Sequence, residues 1–567
     1  MNSNWYIYNK KKNVSEMSKR FNISPIASVI LYNRDISEDD DVKKILSSNI
    51  DDINDAKLLP DVDEACELIH RYILEKKKIR IVGDYDIDGV CSTYIFFDTL
   101  KELGADVSYA IPDRISEGYG INVSIIDKAI DDKIDLIITC DNGIAAGEQI
   151  LYAKNHGIKV IVTDHHDISY MPEDAAYVVN PKREDVKNPY PFKEICGAVV
   201  AWKVLTRYYE IYENNKKYII DKYLEFAMLA TIGDIMTLKN ENHIIAKAGL
   251  NKILNTKNRG LRKLIEVSGL DLTKKQITAY HIGFIIGPLI NAAGRMDKAT
   301  TALRLFLSDD ENEINDIAEI LKKLNDERKN MTEDGTSFAI SQVEEKFIND
   351  KVLVLYIKNL GEQVAGIVAG RIKDRYNKPT IILTDTSEDR EAKASCRSIE
   401  NYDIFEALSK HKDMFLKFGG HKLAAGFSIL KEDIDELRKL LNEECNLSKD
   451  DFKPKVYIDL EYPPYAIDVD TVRELDKLAP FGQDFKSPTF ATKNVEVSIK
   501  NIYGKDNNIV HLILKKDNKC IKGVAFTDSM KLKQRLSESS NLDIIYYPKI
   551  NEYNGSTSVE ISLIDYR

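Results

Sequence analysis

At 567 residues the chain is long enough for several domains, each with its own core. Hydrophobic and charged contents of 43% and 30% are globular values, and no apolar run reaches the roughly 20 residues that span a bilayer. A net charge of −11 argues mildly against a surface coated in nucleic acid but leaves room for a local basic channel.

The seven cysteines are scattered without a C-x-x-C pair, which points to reduced thiols in a cytoplasm. Met1–Trp5 lacks the basic region and apolar stretch of a signal peptide. Residues 1–60 are polar and mixed, a segment expected to pack on a catalytic domain over 61–240. That domain alternates strand and helix. Strand Ile79–Val82 leads to a helix near Val90–Leu103 and a strand Asp106–Ile111, then a strand Ile134–Thr139, a helix near Ala145–His156 and a strand Lys159–Thr163. The rhythm predicts a parallel, doubly wound sheet.

Three of these strands run directly into chemistry: Gly83-Asp84-Tyr85-Asp86-Ile87-Asp88-Gly89, Asp141-Asn142-Gly143 and Asp164-His165-His166. Ligands bind outside the carboxyl ends of strands in open α/β sheets. Carboxylates and imidazoles gathered there suit Mn²⁺, Mg²⁺ or Zn²⁺. A calcium loop of the EF-hand type needs Glu at its twelfth position, where this chain has Ile95. Asp-Asn-Gly alone is ordinary turn chemistry; its place after a buried strand between two other acidic groups argues for function. A helix from about Asp221 to Leu238 carries Asp234, which is costly to bury without a cation or a hydrogen-bonding partner. The chain has no H-E-x-x-H and no G-x-S-x-G, so zinc-protease and serine-nucleophile readings fail. Two cations about 3.5–4 Å apart could activate water and stabilise the leaving oxygen of a phosphodiester.

Residues 241–350 form a helical connector ending in one long amphipathic helix over 309–347, with Gly335 a possible break. A second α/β unit over 351–450 follows: strand Val352–Ile357, helix near Val364–Tyr376, strand Thr380–Leu383 and strand-like Ala392–Ser398. Phe418-Gly419-Gly420-His421 reads either as a loop that lets backbone amides approach an anion or as a tight turn with a surface histidine. Ser395 and Arg397 at a strand end, with Arg114 and Arg295, are donors suited to a terminal phosphate, although each arginine alone reads equally as a surface salt-bridge partner. Residues 451–567 turn β-rich, with segments Val456–Leu460, Asn494–Ile499, Val510–Leu514, Asp543–Tyr547 and Ser558–Leu563 that fit a small barrel of the OB type. Phe481, Phe485, Tyr546, Tyr547 and Tyr553 among basic residues match stacking on a single strand, and equally match an ordinary tyrosine-rich barrel.

The ordered set of motifs strongly resembles the DHH phosphoesterase superfamily, and within it the RecJ family of single-strand-specific 5′→3′ exonucleases. It includes Val82–Gly89, Thr139–Gly143, Asp164–His166, Thr231–Asp234, Gly287–Arg295, Gly366–Gly370, Ala394–Ser398, Phe418–His421 and Leu478–Gly482. The resemblance implies an α/β multidomain fold: a DHH domain, a long connecting helix, a DHH-associated domain and a C-terminal OB-type barrel. It implies paired Mn²⁺ or Mg²⁺ ions held by Asp86, Asp88, Asp141, His165 and Asp234, with Asp84 and His166 in or beside the first shell and Asp84, Asp141 and His166 serving catalysis. Arg114, Arg295, Ser395 and Arg397 match positions that bind the substrate's 5′ phosphate, and His421 is expected to face the same cleft. The implied activity is hydrolysis of single-stranded DNA from its 5′ end to 5′-mononucleotides, in DNA repair and recombination, by a cytoplasmic monomer that meets a single-strand-binding protein and a RecQ-type helicase and has no membrane association. The alternatives are a DHH phosphodiesterase acting on short oligonucleotides or cyclic dinucleotides, and a non-catalytic replication scaffold of DHH descent.

Overall fold

The computed structural model describes residues 3–567 apart from 11–12, 48, 115, 275–276, 505–506 and 554–555; the side chains of Lys274 and Tyr553 also lie outside the described set. The chain forms two compact units, one of residues 7–322 with 457–567, the other chiefly of residues 323–456.

The larger unit contains a five-stranded sheet of β1 (Lys78–Val82), β2 (Asp106–Ala110), β3 (Leu136–Cys140), β4 (Lys159–Thr163) and β5 (Tyr177–Val179), in the order β2-β1-β3-β4-β5. Every pairing is parallel. All of β3 is buried, as expected where helices cover both faces of a parallel sheet. The register puts Val82 opposite Thr139 and Thr139 opposite Val162, so β1, β3 and β4 release their following loops at one edge. Helix α1 (Ile87–Glu102) follows β1, α2 (Gly147–Asn155) precedes β4, and α3 (Gly197–Tyr208) and α4 (Lys216–Gly233) complete the cover. Helix α1 begins three residues before the expected Val90, because Asp86 caps it. Helix α4 stops at Gly233, so Asp234 stands just beyond its end and not within it. Helix α5 (Gly287–Met296) opens with a proline in its first turn, where a missing N–H costs nothing.

Short helices at Val14–Phe21, Pro25–Asn33 and Asp39–Leu46 send Met17, Ile30, Leu31, Val42 and Ile45 into the same core as the sheet. The long helix α6 (Glu311–Gln342) runs unbroken through Gly335. A Cβ at 335 would lie 2.7 Å from Leu360 Cδ1, so the glycine serves close packing, not a break.

The smaller unit builds its sheet from β6 (Leu353–Tyr356), β7 (Thr380–Asp385), β8 (Glu391–Arg397), β9 (Phe415–His421) and β10 (Ala424–Leu430), in the order β9-β10-β8-β7-β6. Only β6 and β7 pair in parallel. Helix α7 (Glu362–Tyr376) links those two strands. Phe418–His421 therefore belongs to a strand of a β-hairpin and not to an anion-cradling loop.

The C-terminal part of the larger unit is a barrel of β11 (Leu460–Glu461), β12 (Phe490–Tyr503), β13 (Ile509–Lys516), β14 (Lys519–Phe526), β15 (Asn541–Tyr553) and β16 (Ser556–Tyr566). The order β11-β12-β13-β14-β16-β15, with β15 pairing back onto β12, closes the ring. The sequence pattern passes over β14, whose lysines interrupt any clear alternation. Phe485 and Tyr546 are fully buried, which makes them core residues and not a stacking surface. Arg34 of the N-terminal segment fastens the barrel: it pairs with buried Asp459 through Nη1 at 2.6 Å and Nη2 at 3.0 Å.

Candidate metal centre

Each ligand loop is fixed by backbone amides before any ion is considered. Asp86 caps α1, its Oδ1 accepting from the N–H groups of Asp88 at 2.9 Å and Gly89 at 3.1 Å. Gly89 is required there, since a Cβ would come within 2.4 Å of the Asp84 carbonyl oxygen. Asp88, in the first turn of α1, is itself held by the first turn of α3. Its two oxygens accept from Gly197 N at 2.6 Å and Ala198 N at 2.7 Å, an arrangement the helix dipole favours. A Cβ on Gly197 would lie 2.7 Å from the Asp141 Cβ, so that glycine lets two acidic loops approach each other. Asp141 follows β3 directly in the left-handed region, at φ 61°.

Asp164 acts differently from its neighbours. Its Oδ1 accepts from His165 N at 2.7 Å and lies 2.7 Å from His166 Nδ1, while Oδ2 accepts from Ile144 N at 2.9 Å. It positions the histidines and ties the third loop to the second. Tyr119 Oη donates to the Asp141 carbonyl at 2.7 Å, and Asn291 Oδ1 on α5 accepts from Ile87 N at 2.7 Å. Gly294, three residues on, packs so closely that a Cβ would sit 2.1 Å from the Tyr85 carbonyl oxygen. Helix α5 thus clamps the Asp84–Asp88 turn from outside the sheet.

The result is a convergent set of donors. His165 Nε2 lies 3.0 Å from Asp141 Oδ1, 3.5 Å from Asp88 Oδ2 and 3.8 Å from Asp234 Oδ2. Three overlapping groups have ligand atoms within 4.8 Å of one another: Asp141-His165-His166, Asp88-His165-Asp234 and Asp84-Asp86-Asp141. All seven sequence-derived ligand and catalytic candidates are therefore brought together.

Burial, reinforced by the neighbouring carboxylates, raises the carboxyls of Asp84, Asp86, Asp141 and Asp234, with Asp84 and Asp234 pushed up to about 8. Burial likewise holds the His165 imidazole below its ordinary value. At His166 burial works downward, but the bond to Asp164 and that residue's charge prevail and carry it up to about 9. Asp84 Oδ1, Asp141 Oδ1 and His165 Nδ1 are buried without a hydrogen-bond partner. Orphaned acceptors crowded among like charges are unfavourable without a cation. An oxygen-rich set with imidazole nitrogen matches Mn²⁺ or Mg²⁺.

A cleft of about 300 Å³ opens onto this centre, lined by Asp84, Asp86, Asp234, Tyr119, Asn291, Arg114 and Arg295 among others. The Arg114 guanidinium lies 5.0 Å above the Tyr85 ring. Arg114 and Arg295 both line this cleft. Ser395, Arg397 and His421 belong to the smaller unit. Ser395 and Arg397 lie on β8 opposite Gly426 and Ala424, and a Cβ on Gly366 of α7 would come within 3.1 Å of Arg397 Nη2. His421 ends β9, exposed.

Comparison with known proteins gives this geometry a family. The DHH family N-terminal domain matches residues 78–231, the DHHA1 domain 349–447 and the RecJ OB domain 458–565. The single-stranded-DNA-specific exonuclease RecJ of Bacillus subtilis is 32% identical over 554 residues, covering 97% of this chain and 69% of that protein. The chain belongs to the RecJ family. The crystal structure of RecJ from Thermus thermophilus in complex with Mn²⁺ superposes with a TM-score of 0.83 at 26% identity, covering 100% of this chain and 79% of that one. The same protein's complex with Mg²⁺ gives 0.77 at 25% identity, covering 100% and 78%. This RecJ-family chain has, among its described residues, no helix long and apolar enough to cross a membrane.

Sequence reasoning missed the supports more than the ligands. Asp164 was visible in the motif, but its positioning role was not, since that depends on the Ile144 amide. The amides of Gly197 and Ala198 carry no side-chain signal at all. Asn291 and Gly294 stood within a recognised motif, yet nothing in the spacing linked them to the Asp84–Asp88 turn.

Proposed function

We propose that this chain is an exodeoxyribonuclease specific for single-stranded DNA, using divalent Mn²⁺ or Mg²⁺ to hydrolyse the terminal phosphodiester. The observation that carries the reading is the convergence of Asp84, Asp86, Asp88, Asp141, His165, His166 and Asp234, with orphaned buried acceptors, in a RecJ-family chain. Asp86, Asp88, Asp141, His165 and Asp234 would hold two ions, with Asp84 and His166 beside them. Ions bound there would activate a water and neutralise charge on the scissile phosphate.

The residues of the chain supply the rest. The Asp88 carboxylate is locked by two amides, so its oxygens are oriented before substrate arrives. His166, held through Nδ1 at 2.7 Å from Asp164 Oδ1, would present its imidazole to a phosphate oxygen. Arg114 and Arg295 line the cleft and would pair with substrate phosphate, while Ser395, Arg397 and His421 form a second phosphate-binding set on the smaller unit. Attack from a 5′ end joins the water oxygen to phosphorus and breaks the bond to O3′, which takes up a proton. The shortened strand then carries a fresh 5′ phosphate, so every turnover regenerates the recognised terminus. The phosphate-binding arginines support this 5′→3′ polarity. The family also supports a place in DNA repair and recombination, in the cytoplasm, beside a single-strand-binding protein and a RecQ-type helicase.

Degradation of 5′- and 3′-labelled single- and double-stranded DNA with each metal tests the reading. Mononucleotide release from the 5′ end of single strands is expected. Release starting at a 3′ end, or equal activity on blunt duplex, would overturn it.

A further inference from the structure

Arg114 and Tyr119 lie in one segment, between β2 and a helix at Val123–Asp131, and both line the metal cleft. The far end of that segment grips the second acidic loop. Tyr119 Oη donates to the Asp141 carbonyl at 2.7 Å, and Ile121 N donates to Asn142 Oδ1 at 3.1 Å. The glycines on either side of Tyr119 are both left-handed, at φ 81° for Gly118 and 67° for Gly120. A Cβ on Gly118 would meet nothing within 4 Å, whereas one on Gly120 would lie 3.0 Å from the Asn142 Cβ. The backbone is thus open on the Arg114 side of Tyr119 and closely packed on the other.

The side chains continue the connection. The Arg114 guanidinium lies over the Tyr85 ring, Tyr85 meets Tyr119 edge-on at 6.4 Å, and Tyr119 meets His166 edge-on at 5.7 Å. Tyr119 Oη stands 3.3 Å from His166 Nδ1 and 3.4 Å from Nε2, so it faces the carbon edge between the two nitrogens. Asp164 already engages Nδ1 at 2.7 Å. With the ring held at Nδ1 and along that edge, Nε2 is the nitrogen left to face a substrate.

We propose that Tyr119 is a positioning residue that couples phosphate recognition at Arg114 to the alignment of His166 and the Asp141 loop for cleavage. A phosphate drawn to Arg114 restrains the open side of the segment, and Tyr119 passes that restraint to the His166 ring. The inference rests on the proposed function, which supplies both the phosphate at Arg114 and the task of His166. Asp141 itself does not depend on Tyr119 for its place. Its N–H donates to the Thr163 carbonyl at 3.1 Å, and Asn142 Nδ2 donates to the carbonyls of Val82 at 3.0 Å and Cys140 at 2.8 Å. Losing the Tyr119 hydroxyl should therefore misalign the reacting groups before it empties the metal site.

Steady-state kinetics of the full chain with Mn²⁺, on single strands carrying a 5′ phosphate or a 5′ hydroxyl, test the coupling. Tyr119→Phe keeps the ring and removes only the hydroxyl. On the phosphorylated strand its kcat should fall about tenfold, the worth of one hydrogen bond, with KM nearly unchanged. On the hydroxyl strand, which gives Arg114 no terminal phosphate, kcat should change far less. In an Arg114→Ala background the same substitution should cost little, as a double-mutant cycle requires of coupled residues. Mn²⁺ affinity, read from the electron paramagnetic resonance of free Mn²⁺, should match the wild type. Wild-type kcat in Tyr119→Phe, an equal loss on both strands, additive losses with Arg114→Ala, a loss confined to KM, or a fall in Mn²⁺ affinity that accounts for the fall in kcat would each overturn the inference. A wild type inactive on single strands breaks the proposed function and this inference with it; an active one in which Tyr119 and Arg114 act independently breaks this inference alone.

Discussion

The metal cleft and strand β8, both assigned to a phosphate substrate in the proposed function, hold their polar side chains by opposite means. In the cleft, Asp84, Asp88, Asp141 and His165 are buried, crowd one another and leave acceptors without partners. On β8, Ser395 and Arg397 are half-buried on an antiparallel strand beside Gly366. The cleft is arranged around a charge it does not itself possess; β8 presents donors that water can satisfy. Buried like charges create a strong demand for a cation, whereas part-exposed donors only bias an encounter.

The sharpest way to break this contrast is to remove a central cleft carboxylate. Asp141→Ala should abolish hydrolysis of a 5′-labelled single strand while leaving its binding, read by fluorescence anisotropy, largely intact. Robust Mn²⁺-dependent activity in that variant would sink the metal assignment. Asp164→Asn tests whether a positioning residue matters nearly as much as a ligand. A loss of about 10–100-fold in Mn²⁺ affinity, measured by the electron paramagnetic resonance of free Mn²⁺, is expected. Unchanged affinity would mean that His165 and His166 hold their places without it.

On the other side of the comparison, Arg397→Ala should raise KM for 5′-phosphorylated strands about tenfold, the loss of one charge-assisted hydrogen bond, with kcat nearly unchanged. A fall in kcat without a change in KM would move Arg397 out of substrate binding. His243 sharpens the contrast from a third direction, as a buried titratable group kept neutral by packing. Burial, helped by Lys247, lowers it to about 3, and its ring meets Phe485 edge-on at 5.3 Å. Between its ordinary value near 6.5 and about 3, the unfolded chain takes up a proton that the folded chain refuses. Stability contributed above pH 6.5 is therefore lost as pH falls, by at most ~1.4 kcal/mol per pH unit. Thermal melts of His243→Leu should fall less steeply over this window than those of the wild type; parallel slopes would show that His243 protonates in the fold.

Legibility followed the same division. Strands β1, β3 and β4 were readable because both their faces are covered, so each is an apolar run ending abruptly in acid. The barrel was readable as a class, but β14 was hidden because its lysines face outward and break the alternation. Phe485 and Tyr546 fitted a stacking surface and a barrel core equally well, because composition does not say which side chains point inside. Asp234 was assigned to a helix interior because the apolar pattern continues past Gly233, while the backbone turns there.

The sequence by itself determined the parallel strands beside the acidic motifs, the family resemblance and the ligand candidates, since metal chemistry restricts residue type and strand ends restrict position. Only the tertiary structure decided that Gly197 and Ala198 hold Asp88, that Asp164 steers two histidines, and that Asn291 and Gly294 clamp the Asp84–Asp88 turn. Those contacts use backbone amides and close approaches between segments far apart in the chain. Neither leaves a periodic trace in the sequence.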